Sequence, residues 1–112
     1  MARGQIVPPM LDGGIWCSYA KSMRITCNQQ KRLLTLQDRG LDMLRAREVF
    51  AGPHFTRPDL RRDYGEARFV SVGWLDARLV VIAWTPRGVS RRIISMRHCH
   101  EREAKIFRTY FS

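Results

Sequence analysis

Acidic side chains are scarce in this sequence: 10 Asp and Glu stand against 20 Lys and Arg, a formal charge of +10 over 112 residues. So basic a chain favours a polyanionic partner, either nucleic acid or an acidic protein segment. Lysine is scarce too, since 17 of the 20 basic residues are arginine. Arginine offers a planar fork matched to phosphate oxygens and stays ionised at any relevant pH. Cysteine is limited to Cys17, Cys27 and Cys99, an odd number with no CxxC pair, so free thiols are expected rather than a disulfide framework. Cys99 lies between His98 and His100, but no further pair completes a four-ligand set, and neither a metal site nor any cofactor is expected. Long apolar runs are missing. The longest, Leu79 to Trp84, is far too short to cross a bilayer, and the N-terminus lacks an apolar stretch of signal-peptide length. The expectation is a cytoplasmic protein with no membrane partner.

What remains is a chain with 45% apolar residues, enough to fold, and a length that suits one small domain. Residues 1–22 differ from the rest: they hold Pro8-Pro9 and Gly13-Gly14, show no sustained period and carry few charges. They are expected to form a flexible extension, in which Ile15, Trp16 and Tyr19 can pack locally, with residues 23–112 as the single domain and Met23 as a natural start.

Asn28 is placed to cap a helix over Gln29–Arg39, with Leu33, Leu34 and Leu36 as a partial apolar face and Gly40 as its stop. Asp42 then caps a second helix over Met43–Ala51, whose Leu44, Val49 and Phe50 recur at helical spacing before Gly52-Pro53 ends it. Strand patterns follow: a short one at His54–Thr56, then Arg68–Leu75, a two-residue connection at Asp76-Ala77, Arg78–Thr85, a turn at Pro86-Arg87-Gly88, and Arg91–Arg97. A last helix, about His100–Tyr110, offers Ala104, Phe107 and Phe111 to the sheet, while Trp74 and Trp84 are expected in the core. The fold class is therefore α+β: two N-terminal helices, a three- to four-stranded antiparallel sheet and a C-terminal helix.

The stretch from Arg61 to Glu103 sets a carboxylate and arginines on either side of a hairpin. Cleaving RNA without metal requires a base for the 2′-hydroxyl, fixed positive charge for the phosphorane-like transition state, and a proton for the 5′-oxygen. Glu66 and Arg68 flank Ala67 and share a side if the strand begins there. Strand parity groups Arg91 and Arg97 with Ile93 and Ser95, and Arg92 with Ile94, Met96 and His98. His54, at the sheet edge, is a possible general base, and His98 and His100 flank a helix N-terminus suited to a phosphate. Tyr64 can stack on a base. The same residues also read as a surface ion pair, structural histidines and a loop tyrosine.

In order, Lys31, Gly40-Leu41-Asp42, Ala46-Arg47-Glu48-Val49-Phe50, Asp63-Tyr64-Gly65-Glu66-Ala67-Arg68-Phe69-Val70, Leu79-Val80-Val81, Thr85-Pro86-Arg87-Gly88, Arg92-Ile93-Ile94-Ser95-Met96-Arg97 and Glu103 resemble the BrnT family of bacterial toxins. The resemblance covers about residues 24 to 107. It implies a RelE-like fold, metal-independent endoribonuclease activity that inhibits translation, and a cognate, DNA-binding, BrnA-like antitoxin forming a hetero-oligomer with the toxin. It also implies roles: Arg68 and Arg97 on phosphate and transition-state charge, Glu66 as general base or arginine orienter, and His98 as acid. Arg87, Arg92 and Ser95 match further polar marks of the family and, with Arg62, Tyr64 and Arg91 from the reading of the residues themselves, are the expected RNA contacts. The chain departs from the family pattern at Cys27-Asn28, where an aromatic-Asp pair is usual, at Arg39 for histidine, at His100 for threonine and at Phe107 for tyrosine. The alternative is a degenerate basic module that binds RNA or an acidic protein without cleaving anything.

Overall fold

The computed structural model describes residues 24–111. The expected extension over residues 1–22 and the expected start at Met23 lie outside the described residues. The chain runs β1 (Arg24–Cys27), α1 (Gln29–Arg39), a 3-10 turn (Met43–Arg45) leading into α2 (Ala46–Ala51), β2 (His54–Pro58), β3 (Phe69–Leu75), β4 (Arg78–Arg87), β5 (Ser90–His98) and α3 (Glu101–Phe111). Local signals set most boundaries. The Asn28 side chain accepts the Lys31 N–H at 3.0 Å, and Gly40, at φ 70°, takes the left-handed turn that stops α1. Asp42 accepts the Leu44 N–H at 3.0 Å and so opens the 3-10 turn. No helix among the described residues is long and apolar enough to cross a membrane.

The sheet has five strands in the order β1-β5-β4-β3-β2, with β1 parallel to β5 and every other pair antiparallel. This corrects the expected three- to four-stranded antiparallel sheet: the fold is α+β, but Arg24–Cys27 adds a parallel edge strand. That strand has only four residues and a weak alternation, with Ile25 and Cys27 turned toward the core. Asp76 and Ala77 both sit at positive φ, 51° and 66°, as a two-residue hairpin of type I′ demands. Arg45 steadies the turn by gripping the Asp76 carboxylate at 2.6 and 2.9 Å.

The two faces of the sheet differ. One face buries Val80, Ile82, Trp84, Ile93 and Met96 against Met43, Ala46, Val49 and Phe50. Fully burying side chains of this size stabilises the fold by about 1.5–3 kcal/mol each. The approach is tight at Gly73, where a Cβ would fall 2.7 Å from Val49 Cγ1. The opposite face carries Val72 and Leu79 beneath Ala104 of α3, with Trp74, Phe107 and Phe111 packed alongside. α3 covers only part of it.

A bulge decides which side chains share a face. Ala83 pairs with Ser95 but Trp84 pairs with Ile93, so Ile94 is an extra residue and β5 changes parity there. Ile93 therefore joins Met96 in the core, and the expected grouping of Ile93 with Ser95 and Arg97 is corrected. The expected apolar face of α1 is corrected as well. Leu33 and Leu34 are 56% exposed and Leu36 45%, and α1 buries no residue. It joins the body through polar contacts instead: Arg32 grips Asp42 at 2.8 and 3.0 Å, and Arg39 Nη1 donates to the Met96 carbonyl at 2.9 Å. Leu44, at 38% exposure, also stays outside, while Val49 and Phe50 pack as expected.

Candidate active site

Residues paired across neighbouring strands point to the same side of a sheet, so the register shows what the partly covered face presents. Val81 pairs with Arg97, Ala83 with Ser95, Thr85 with Arg92 and Arg87 with Ser90. Arg57 faces the same way beside Val70. Arg87, Arg92, Ser95 and Arg97 thus line one face, Arg87 and Arg92 on one side of the bulge and Ser95 and Arg97 on the other.

The loop from β2 to β3 delivers the carboxylate. Asp59 is the anchor: its backbone N–H donates to the Arg68 carbonyl at 2.8 Å, and its buried carboxylate accepts from Arg61 Nε and Nη2, both at 2.8 Å. Tyr64 also donates to Asp59 Oδ2, at 3.1 Å. These partners, the Arg61 hydrogen bond foremost, hold the Asp59 carboxyl far below the usual carboxylate range. So fixed, the Tyr64 ring carries the Arg68 guanidinium 4.1 Å from its centroid, with Arg62 at 5.6 Å. Glu66 then accepts from Arg68 Nε at 3.2 Å and from Arg87 Nη2 at 3.1 Å. Thr85 Oγ1 donates to the Ala67 carbonyl at 2.6 Å, which sets Arg92, the cross-strand partner of Thr85, level with this group.

The structure therefore brings together Arg62, Tyr64, Glu66, Arg68, Arg87 and Arg92. Arg97 lies on the same face but pairs with Val81, roughly 13 Å further along β4 at the usual rise per residue. Its guanidinium is clamped by Glu103 at 2.8 and 3.0 Å. The Arg97 hydrogen bond pulls the Glu103 carboxyl down to about 2. Arg91 is placed elsewhere: it turns to the core face and lies 4.5 Å from the Phe50 centroid and 4.2 Å from that of Trp84. His98, paired with Val80, also takes the core face, through the sheet from Glu66. His54 is 3% exposed, and burial lowers its pKa. Asp59 is the residue that sequence reasoning missed; the one available signal was a carboxylate just after Pro58 in an arginine-rich loop. Among the described residues no three His, Cys, Asp or Glu side chains gather as metal ligands do.

One carboxylate bridging two guanidiniums, with a third arginine and an aromatic ring beside it, can bind a phosphodiester and accept a proton at the same spot. A search of curated proteins finds no match to the chain. The family described as ribonuclease toxin, BrnT, of type II toxin-antitoxin system matches residues 28–103, a span that includes α1, the Asp59 loop, β3 to β5 and Glu103. The chain thus belongs to the BrnT family of ribonuclease toxins of type II toxin-antitoxin systems.

Proposed function

We propose that this protein is a metal-independent endoribonuclease whose scissile phosphate binds among Arg68, Arg87 and Arg92. The observation that carries the reading is Glu66 held between Arg68 and Arg87 at 3.2 and 3.1 Å. Glu66 takes the proton from the 2′-hydroxyl, whose oxygen attacks phosphorus. The arginines face the negative charge that accumulates on the phosphoryl oxygens, and their donors are fixed in advance by Tyr64 and Glu66. The bond to the 5′-oxygen breaks and that oxygen takes a proton from a water molecule, which recovers one from Glu66, since neither His54 nor His98 lies on this face. The product is a 2′,3′-cyclic phosphate. Arg97, further along the same face, holds a neighbouring phosphate, and Ser95 lies between the two groups. A DNA-binding antitoxin neutralises the protein by covering this basic face, and cleavage in its absence stops translation.

The test is purified protein incubated with total RNA in chelator, beside an Arg68→Ala, Arg92→Ala double variant. Cyclic-phosphate ends formed by the wild type and lost in the variant are expected. RNA retarded in a gel but left intact would instead establish a binding module without catalysis.

A further inference from the structure

A cavity of about 490 Å³ lies where β5 runs into α3, lined by Arg39, Arg78, Arg97, His98, Cys99 and His100. No carboxylate is among its lining residues. Gathering guanidiniums around an open space is unfavourable unless an anion enters it. Arg97 is taken up by Glu103, and Arg39 spends one N–H on the Met96 carbonyl. Arg78 makes no ion pair among the described residues. His98 Nδ1 is buried without a hydrogen-bond partner. Orphaned buried N–H groups are rarer than orphaned acceptors, which favours the neutral tautomer with its proton on Nε2, as a donor. Burial, and then the charge of Arg78, lower the His98 pKa.

We propose that this corner is a second phosphate site, which takes a phosphate group of single-stranded RNA away from the scissile linkage. The inference rests on the reading of the open face as an RNA-binding surface. Arg97 joins the two places, since its strand position puts it on the open face while it also lines the cavity. A phosphate here meets Arg78 and Arg39 donors and the His98 Nε2–H. Its charge offsets that of Arg78, so the imidazole becomes easier to protonate when the site is filled.

The experiment follows the His98 and His100 ring signals of the full chain by NMR. Three probes are added in turn: inorganic phosphate, and a 2′-O-methyl oligoribonucleotide with and without a 5′-phosphate. The site predicts saturable movement of the His98 signals with RNA, a raised His98 pKa, and roughly tenfold weaker binding in Arg78→Met. Equal effects of the two oligonucleotides identify a backbone phosphate, and an effect of the 5′-phosphorylated one alone identifies a chain end. Both support the site. Movement with inorganic phosphate but not with RNA overturns the RNA assignment, and no movement with any probe overturns the site. Arg68→Met keeps the His98 response; if that response stands while wild-type protein leaves RNA uncut, only the cleavage reading has failed.

Discussion

Replacing Glu103 with Gln removes the carboxylate that accepts two bonds from Arg97 and one, at 2.9 Å, from the His100 N–H. The folded-state pKa of about 2 lies below the ordinary value of 4.5. A depressed carboxyl pKa stabilises the fold at pH values above the ordinary one, and the contribution is lost as pH falls from about 4.5 to about 2. Unscreened, the difference corresponds to about 3 kcal/mol at 1.36 kcal/mol per pKa unit. The two side chains are 34% and 33% exposed, so solvent screening brings the expected contribution to about 1 kcal/mol. Urea unfolding of wild type and Glu103→Gln, compared from pH 7 down to pH 3, should show a gap of about 1 kcal/mol that narrows as the solution is acidified. Asp59 titrates in both proteins and cancels from the difference. A gap that stays constant with pH, or a variant as stable as wild type at pH 7, refutes the reasoning. On the proposal that Arg97 holds an RNA phosphate, Glu103 is a competitor for it, and the same variant should bind RNA at least as tightly as wild type at pH 7, measured by fluorescence anisotropy.

Further outcomes follow from the packing. Ser71→Ala removes the hydroxyl that accepts from buried Trp84 Nε1 at 2.8 Å and pairs with Thr56 Oγ1 at 2.7 Å, so urea unfolding should register a loss of about 1–3 kcal/mol. Gly73→Ala forces its Cβ against Val49 Cγ1 and should cost about 1–3 kcal/mol by overpacking; Val49→Ala in the same chain should recover part of that loss, and failure to do so would place the strain elsewhere.

The helix caps and hairpin strands were legible because short-range chemistry sets them. Asn28, Gly40 and Asp42 each act on neighbours two to four residues away, and the Val70–Val72–Trp74 alternation survives intact in β3. Long-range pairing was not legible. Nothing near Arg24 announces that it will lie beside Ser90, and the pattern of β5 does not reveal that Ile94 is a bulge. That single extra residue is why Arg92 and Arg97, five positions apart, share one face, while Arg91 goes to the core face. The leucines of α1 were sorted by period, yet Arg32 and Arg39 turn the polar side of the helix inward. At the site, Glu66 and Arg68 could be paired from spacing alone, whereas Asp59, the anchor beneath them, acts through a loop fold that no periodicity encodes.

The pairing of the first described strand with the last has a consequence for synthesis. A nascent chain emerging from the ribosome holds Arg24–Cys27 long before its neighbour Ser90–His98 exists, and Arg92 and Arg97 arrive only with that strand. The face that carries these arginines can therefore close only once β5 has been made and has inserted between β1 and β4, so the first strand waits unpaired through most of the domain's synthesis.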